Sequence, residues 1–267
     1  MMPKFGNLTN PSEDILEEIE KIGRMGFDFA EISIEGPKSF PDNLRRKRKD
    51  ILRILRKYRM FAIGHTMWWC DLGSPYENVR KGWVEEAKSS IDIANELGIK
   101  LVNFHFESVQ SLFRDNKIRK KILNNYVRSM KELVEYGKIK GVDVMLENCV
   151  SEGCSHIDNY GYIVNRVKGL GVHLDVGHAF IEGGTKNVLK FITTFRKRLV
   201  HIHMHDNYGD RDDHLPLGIA RVEYDKVARA LKKIGYSKTV TFEVFTMDRD
   251  FAALSMKKFR DAWKGKK

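Results

Sequence analysis

The stretch Val172-His-Leu-Asp175 is a short, largely apolar run that ends on a carboxylate, and five other segments of the chain are built in the same way. They cover residues 61–65, 101–105, 144–147, 200–203 and 240–243, and they end on His65, His105, Glu147, His203 and Glu243. Such a run is typical of a buried parallel strand. An ionisable group at its end is costly beside an apolar core unless the group is paired or binds a metal. The six segments therefore indicate a metalloenzyme.

The spacing of these segments leaves room for helices between them. Gaps between successive end residues are 40, 42, 28, 28 and 40 residues, enough for a helix and two loops each time. Two further strands are predicted at residues 4–8 and 28–34. Helices are predicted near residues 14–23, 45–59, 76–97, 117–138, 159–167, 186–195, 223–234 and 251–263. Eight alternating units predict the α/β class and a (β/α)8 barrel over residues 1–267 as a single domain. The alternative is a doubly wound open sheet, but no Gly-rich dinucleotide loop follows the first strand.

The charge of the chain is strongly basic, at +11 with a pI of about 9.4. Its Lys and Arg residues cluster at residues 45–59, 117–121 and 257–267. A basic surface can bind nucleic acid. However, apolar residues such as Ile51 and Leu55 give the first cluster the stripe of an outer helix whose charged face contacts solvent. We expect this charge on the flank of the barrel, away from its mouth.

The apolar runs, cysteines and glutamine content of the sequence indicate where the protein is found in the cell and what kind of organism it comes from. No apolar run approaches the roughly 18 residues of a membrane span, and no signal-peptide pattern opens the chain. Cys70, Cys149 and Cys154 are an odd number without zinc-finger spacing, so we expect a reduced, cytoplasmic protein. A single glutamine among many Lys, Arg and Glu residues favours a thermophile source.

Three local motifs at the strand ends carry metal-ligand residues. A parallel barrel gathers the C-terminal ends of its strands on one face, so these residues should converge. Asp175-Val-Gly-His178 can serve two adjacent metals, with Gly177 allowing a sharp turn between the ligands. In the second motif, the alternate residues His201, His203 and His205 share one strand face. We predict His203 as the ligand, His201 as a deeper core residue and His205 as a loop residue in contact with substrate.

The third motif, Asp212-Asp-His214, can chelate one ion, although a polar surface loop would show the same residues. His65 and His105 are interpreted together as ligands of an additional ion, against the alternative of two structural histidines. Glu147 and Glu243 end strands that lie well apart in the barrel. Their carboxylates would then lie on opposite sides of a substrate, which suits proton removal and return at neighbouring carbons.

Candidate substrate contacts lie on the neighbouring loops. Trp68 and Trp69 follow His65 and could form a flat wall for a sugar or a base, or pack under a loop. Glu31 and Glu35, on and just after the second strand, could accept hydrogen bonds from hydroxyl groups or pair with charges at the rim.

Five motifs together resemble the xylose-isomerase-like barrel superfamily over nearly the whole chain. They are Leu146-Glu-Asn148, His173-Leu-Asp-Val-Gly-His-Ala-Phe180, His203-Met-His-Asp-Asn207, Asp212-Asp-His-Leu-Pro-Leu-Gly218 and Thr241-Phe-Glu-Val-Phe245. The superfamily includes sugar isomerases, epimerases and the endonuclease IV family of apurinic endonucleases.

The resemblance implies two sets of metal ligands. In the sugar branch one divalent ion is held at positions that match Glu147, Asp175, His203 and Glu243. In the endonuclease branch a three-zinc cluster adds positions that match His65, His105, His178, Asp212 and His214. This sequence has all nine residues.

Departures from the endonuclease pattern favour the sugar branch. Where endonucleases carry a basic, aromatic motif after the second strand, this chain has the acidic stretch Glu31-Ile-Ser-Ile-Glu-Gly-Pro37. Phe106-Glu107 replaces the usual Pro-Gly after the second His. Against the sugar pattern, Gly218-Ile-Ala-Arg221 lacks the loop carboxylate of the usual Gly-Glu-Gly ending.

The expected activity is therefore a metal-dependent isomerisation or epimerisation of a sugar or sugar phosphate through an enediolate. Zn, Mn or Co is expected, as one to three ions. Glu147 and Glu243 would exchange protons with the substrate, and His178 would orient a hydroxyl or hold a second ion. The alternative is a three-zinc apurinic/apyrimidinic endonuclease, and DNA is a partner only in that case. The sequence predicts no membrane partner and leaves the sugar, the metal and the oligomeric state open.

Overall fold

The computed structural model describes residues 1–107, 115–150 and 156–266. Eight parallel strands close into a barrel in chain order, with β1 paired to β8. The strands are β1 (Lys4–Leu8), β2 (Phe29–Ile34), β3 (Phe61–Thr66), β4 (Leu101–Phe106), β5 (Asp143–Asn148), β6 (Gly171–Asp175), β7 (Leu199–Met204) and β8 (Thr239–Phe242). The predicted (β/α)8 barrel is confirmed, and the alternative open sheet is wrong.

Eight helices surround the strands in the part of the chain that the structure describes. They are α1 (Ile15–Arg24), α2 (Pro41–Tyr58), α3 (Glu77–Glu96), α4 (Asn116–Lys140), α5 (Ile157–Val164), α6 (Val176–Phe195), α7 (Tyr224–Lys233) and α8 (Asp250–Lys264). Helix α6 begins ten residues before the predicted start at residue 186. Its first turn follows β6 directly because Asp175 caps it, and a kink at Gly183 and Gly184 separates this turn from the later part.

Successive side chains of each strand point alternately into an outer core and into the barrel interior. Along β5, Val144 and Leu146 point outward and belong to the large apolar core that the strands form with the helices. Met145 points inward and packs with Phe29 and Ile63 at the lower end of the barrel. Glu147 is the next inward residue after Met145. Side chains alternate along a strand. The outward residues of each strand therefore form the outer core, and its inward residues form the inner cluster and the site above that cluster.

The basic residues of α2 lie on the flank, as the sequence indicates. Arg45 pairs with Glu96 of α3 at 3.0 Å, Lys57 pairs with Glu20 of α1, and Arg53 pairs with Asp50 one turn earlier. The first two ion pairs join α2 to neighbouring outer helices, and the third lies within α2. Across the three described segments, no helix is both long and apolar enough to cross a membrane.

Candidate metal centre and active site

The centre of the barrel mouth brings together four residues from four neighbouring strand ends: Glu147, Asp175, His203 and Glu243. Each residue offers one ligand-type atom, and these four atoms all lie within 4.8 Å of one another. Nδ1 of His203 is 3.0 Å from Oε2 of Glu243, 3.4 Å from Oε1 of Glu147 and 3.7 Å from Oδ2 of Asp175. We call these four residues the central group.

The central group fits a divalent cation. Oδ2 of Asp175 and Nδ1 of His203 are buried, and neither has a hydrogen-bond partner among the described residues. Three carboxylates around one imidazole leave excess negative charge in a buried place, which is costly unless a cation or protons balance it. Oxygen and imidazole nitrogen ligands suit zinc, manganese and cobalt. Burial opposes the charging of His203, but Glu31, Glu243 and Glu147 outweigh it and hold its pKa well above the usual range.

A second group shares Glu147 with the first and adds the two histidines that end β3 and β4. Nε2 of His105 lies 3.3 Å from Nε2 of His65 and 3.2 Å from Oε2 of Glu147. Burial and the neighbouring His105 lower the pKa of His65 to about 4, which keeps His65 neutral and able to donate a lone pair. These residues could hold an ion beside the central group.

A third group lies on the side of the mouth formed by α6 and the loop after β7. Nδ1 of His178 is 2.8 Å from the carbonyl oxygen of Asn148, and Nδ1 of His214 is 3.1 Å from that of Glu243. A carbonyl only accepts, so each Nδ1 carries a proton. Both Nε2 atoms then approach Oδ2 of Asp212, at 3.1 and 2.9 Å.

Such an approach to a carboxylate requires either a second proton on each ring or a cation between the groups. Burial opposes the protonation of His214, but Glu243 and Asp212 raise its pKa to about 9. Within the described residues the structure thus brings together all nine predicted ligands, in three adjoining groups. Whether each binds metal stays a prediction.

The start of α6 corrects the expected role of Gly177. This residue lies in the helix, so it does not provide a sharp turn. A Cβ atom at Gly177 would lie 2.0 Å from the ring of His205, so the glycine leaves room for that ring. Asp175 is held by the same turn, because its Oδ1 accepts the backbone N–H of His178 at 2.7 Å.

Two asparagines and a histidine support the central group, and none of the three has a role predicted from the sequence. Nδ2 of Asn103 donates to Oε2 of Glu147 at 2.6 Å, and its Oδ1 accepts the N–H of Thr66. Oδ1 of Asn148 accepts the N–H of Asp175 at 2.9 Å. His173 is fully buried, with Nδ1 3.3 Å from Oε2 of Glu147. Asn103 and His173 each lie two residues before a predicted ligand, which was the available signal for an inward side chain.

Asp206 organises the loop that carries Asp212 and His214. Its Oδ2 accepts the backbone N–H groups of Gly218, Ile219 and Ala220, and its Oδ1 accepts that of Val222. An ionised carboxylate that accepts several backbone N–H bonds is a strong anchor for a loop. The sequence motif contained Asp206 but gave no indication of this role.

The three groups open into a cavity of about 920 Å³. Its lining includes Trp68 and Trp69, and Trp68 is 57% exposed, so it forms an open wall. Glu35 also lines the cavity, and burial together with Glu243 raises its pKa to about 7, although His105 opposes this shift. Among the described lining residues the one Lys or Arg is Arg249, which is paired with Glu18 at 2.7 Å.

Glu31 and His205 depart from the expected substrate contacts. Both are fully buried, and neither lines the cavity. Glu31 lies below the central group and contacts His201 and His203, while Nε2 of His205 lies 3.2 Å from Oδ1 of Asp175. The register explains the depth of Glu31, because it pairs with Ile63 of β3, two residues below His65. His201 is a buried core residue bonded to Thr239, as predicted.

Comparisons with known proteins agree with this architecture. The family described as xylose isomerase-like TIM barrel matches residues 19–262. An uncharacterised protein of Methanocaldococcus jannaschii is 30% identical over 90% of this chain and 83% of its own length. A probable endonuclease 4 of Aquifex aeolicus is 22% identical over 95% of this chain and 90% of its own. The crystal structure of a D-tagatose 3-epimerase-like protein superposes with a TM-score of 0.86 and 26% identity, covering 98% of this chain and 97% of the other.

Proposed function

Because the chain belongs to the xylose isomerase-like TIM barrel family, we propose that it is a divalent-metal-dependent sugar isomerase or epimerase. The proposal rests chiefly on one observation: Glu147 and Glu243 both border the cavity and both contact His203, at 3.4 and 3.0 Å. Two carboxylates that flank one site can remove a proton from a carbon and return one to it or its neighbour. The similarity to an epimerase-like structure supports this reading.

The proposed mechanism assigns each described residue a task. Glu147, Asp175, His203 and Glu243 would hold a divalent ion, whose positive charge would supply polarisation of substrate oxygens and so favour an enediolate. One of Glu147 and Glu243 takes the proton beside the carbonyl, and the other returns a proton. His178 orients a substrate hydroxyl or contributes to a second ion. Trp68 forms an apolar wall against which the flat face of a sugar ring packs.

The charge of the cavity favours a sugar over nucleic acid. Glu35, Glu107 and Asp212 line it, while Arg249, the one Lys or Arg among the described lining residues, is already paired with Glu18. A phosphodiester backbone gains most of its affinity from Lys and Arg contacts. The basic residues on α2 cannot supply these contacts from the flank.

A second candidate is an endonuclease IV-like hydrolase of abasic DNA. One observation favours it: the three adjoining groups could hold three ions. Clustered metals suit phosphodiester hydrolysis because they stabilise the attacking and leaving oxygens. The similarity to a probable endonuclease 4 is in line with this alternative.

A paired assay separates the two activities. A panel of ketoses, aldoses and inososes is incubated in deuterated water with zinc-, manganese- or cobalt-loaded protein, and exchange beside the carbonyl is followed by NMR. The same preparations are tested for incision of a duplex with one abasic site. We expect metal-dependent exchange with at least one sugar and no incision. Metal-dependent incision without exchange on any sugar would favour the endonuclease.

Metal content is a separate test. Protein purified without chelator is analysed for bound elements, and chelated protein is titrated with zinc, manganese and cobalt. We expect at least one equivalent to bind. An intact protein that takes up none of the three would contradict the metal-dependent mechanism.

A further inference from the structure

A buried polar layer lies directly below the central group. Its middle is Glu31, whose two carboxylate oxygens are each 3.1 Å from Nε2 of His203. Nε2 of His201 lies 3.0 Å from Oε2 of Glu31, and the hydroxyl of Thr241 donates to the same oxygen. All four residues are fully buried. We call Glu31, His201 and Thr241 the support layer.

The support layer faces one ring nitrogen of His203, and the central group faces the other. An ionised carboxylate only accepts hydrogen bonds, so a bond between Glu31 and Nε2 requires the proton on Nε2. In the neutral ring, Nδ1 is then left with its lone pair, and Nδ1 is the atom that points toward Glu147, Asp175 and Glu243. A neutral imidazole binds a metal through the nitrogen that lacks a proton.

Without Glu31, the surroundings would favour the wrong tautomer. Nδ1 has the carboxylates of Glu147 and Glu243 within 3.4 Å, and these acceptors attract a proton to that nitrogen. Within the described residues, Glu31 is the carboxylate on the opposite side of the ring. Its contact with Nε2 therefore counteracts the pull of the central group on the proton.

The position of Glu31 is itself fixed from three strands. Glu31 comes from β2, His201 from β7 and Thr241 from β8, and Nδ1 of His201 is held by Thr239 at 2.7 Å. Because Glu31, His201 and Thr241 are fully buried, water cannot readily replace these bonds. A carboxylate fixed in this way can orient the ring of His203 as well as select its tautomer.

We propose that Glu31 is a positioning residue of the metal centre, which holds His203 as an Nδ1 ligand through a carboxylate–histidine–metal arrangement. The proposal rests on the metal-binding part of the proposed function and not on the identity of the substrate. Glu31 does not touch the substrate cavity, so its effect acts through His203. Partners of metal-bound histidines typically change metal affinity by about 10- to 100-fold when they are mutated.

The test is a pair of substitutions at Glu31. Glu31→Gln keeps the size of the side chain but replaces one acceptor oxygen with an amide donor, while Glu31→Asp keeps the carboxylate on a shorter stem. We expect zinc affinity, measured by competition with a chromophoric chelator, to fall about 10- to 100-fold in the Gln variant and less in the Asp variant. Nitrogen-detected NMR of zinc-loaded protein should show a slowly exchanging Nε2–H on His203 in the wild type that is lost in the Gln variant.

Ser33→Ala is the matched control. Ser33 is buried on the same strand and, two residues from Glu31, on the same face, but it bonds to Thr9 and not to the histidines. We expect this variant to lose some thermal stability while zinc affinity and the His203 signal stay unchanged. A purely structural role for Glu31 would make its Gln variant behave like Ser33→Ala.

Several outcomes would overturn the assignment. Zinc affinity within twofold of the wild type in Glu31→Gln would do so, as would an unchanged Nε2–H signal. If the Gln variant does not fold, the Asp variant decides by the same two measurements. A wild-type protein that binds zinc but turns over no sugar would contradict the proposed function alone, and one that binds no divalent metal would contradict both.

Discussion

Two levels of the barrel interior are built from the same strands and contrast in chemistry. At the lower level, Phe29, Ile63 and Met145 pack together in an apolar cluster. Two residues further along their strands are Glu31, His65 and Glu147, all of them buried. The outward neighbours stay apolar at both levels, as Val144 and Leu146 show along β5.

This contrast separates the source of stability from the source of function along the barrel axis. Buried charges cost free energy, and the upper level concentrates them where protons or a cation can balance them. The lower level and the outer core carry apolar packing that does not depend on a ligand. Substitutions at the two levels should therefore have different consequences.

The largest effect is expected from Glu243→Gln at the upper level. The amide keeps the shape of the side chain but cannot take up a proton, so deuterium exchange into the sugar should slow by at least about 10²- to 10⁴-fold. Exchange is measured by NMR, with metal content and circular dichroism recorded on the same sample. Glu182→Gln, an exposed residue of α6, is the control and should keep the full rate. A near-normal rate in Glu243→Gln would remove Glu243 from the mechanism.

Met145→Ala at the lower level should show the opposite pattern. Removal of a fully buried side chain leaves a cavity, so the free energy of unfolding should fall by about 2–5 kcal/mol. The affinity for metal, measured well below the unfolding transition, should stay unchanged. Urea unfolding with and without metal checks both points. Met247→Ala, at a fully exposed side chain, is the control. A loss below about 1 kcal/mol would show that the lower cluster contributes little packing energy.

Asn103→Leu tests how closely the two levels are coupled. The substitution removes the donor that holds Oε2 of Glu147, so we expect metal affinity to fall about 10-fold, or about 1.4 kcal/mol. Asn125→Leu removes a comparable buried amide that bonds to the carbonyl of Ser74, away from the site. Isothermal titration of both variants with zinc makes the comparison. Equal affinities in the two variants would argue that Glu147 needs no fixed donor.

The smallest effect is expected at the rim of the cavity. Trp68→Ala removes one wall that contacts solvent on its other side, so KM for the sugar should rise by a few fold, about 1 kcal/mol or less, while kcat stays near the wild-type value. Ile139→Ala on α4 removes another exposed apolar side chain, one that does not line the cavity. Steady-state kinetics of both variants give the KM and kcat values for this comparison. A large fall in kcat would place Trp68 in the chemistry itself.

The secondary structure could be predicted to within a few residues for most elements. The strand predicted at residues 4–8 is β1, and the apolar runs that end on His65, His105 and Asp175 correspond to β3, β4 and β6. Helix α6 is the exception, because the capping of its first turn by Asp175 depends on a single hydrogen bond. The spacing of apolar residues alone does not reveal that a helix follows a strand with no loop between them.

The ligand-type residues at the strand ends could also be predicted, since parallel strands place their C-terminal ends on one face. The residues that support these ligands could not be predicted in the same way. The spacing of Asn103 and His173 from the ligands indicates that both point inward, but only the tertiary structure shows that each contacts Glu147. Asp206 holds a loop through backbone groups that lie 12 to 16 residues away in the chain.

The sequence by itself determined the alternation of eight strands and helices, the inward or outward direction of each strand residue, and the meeting of nine ligand-type side chains at one mouth. Tertiary structure alone decided the depth of each inward side chain. Strand register sets that depth: Glu31 pairs with Ile63, whereas Glu147 pairs with His105. Direction follows from local backbone geometry, whereas register follows from long-range packing around the closed barrel. For that reason Glu31 lies under the central group and not at the rim.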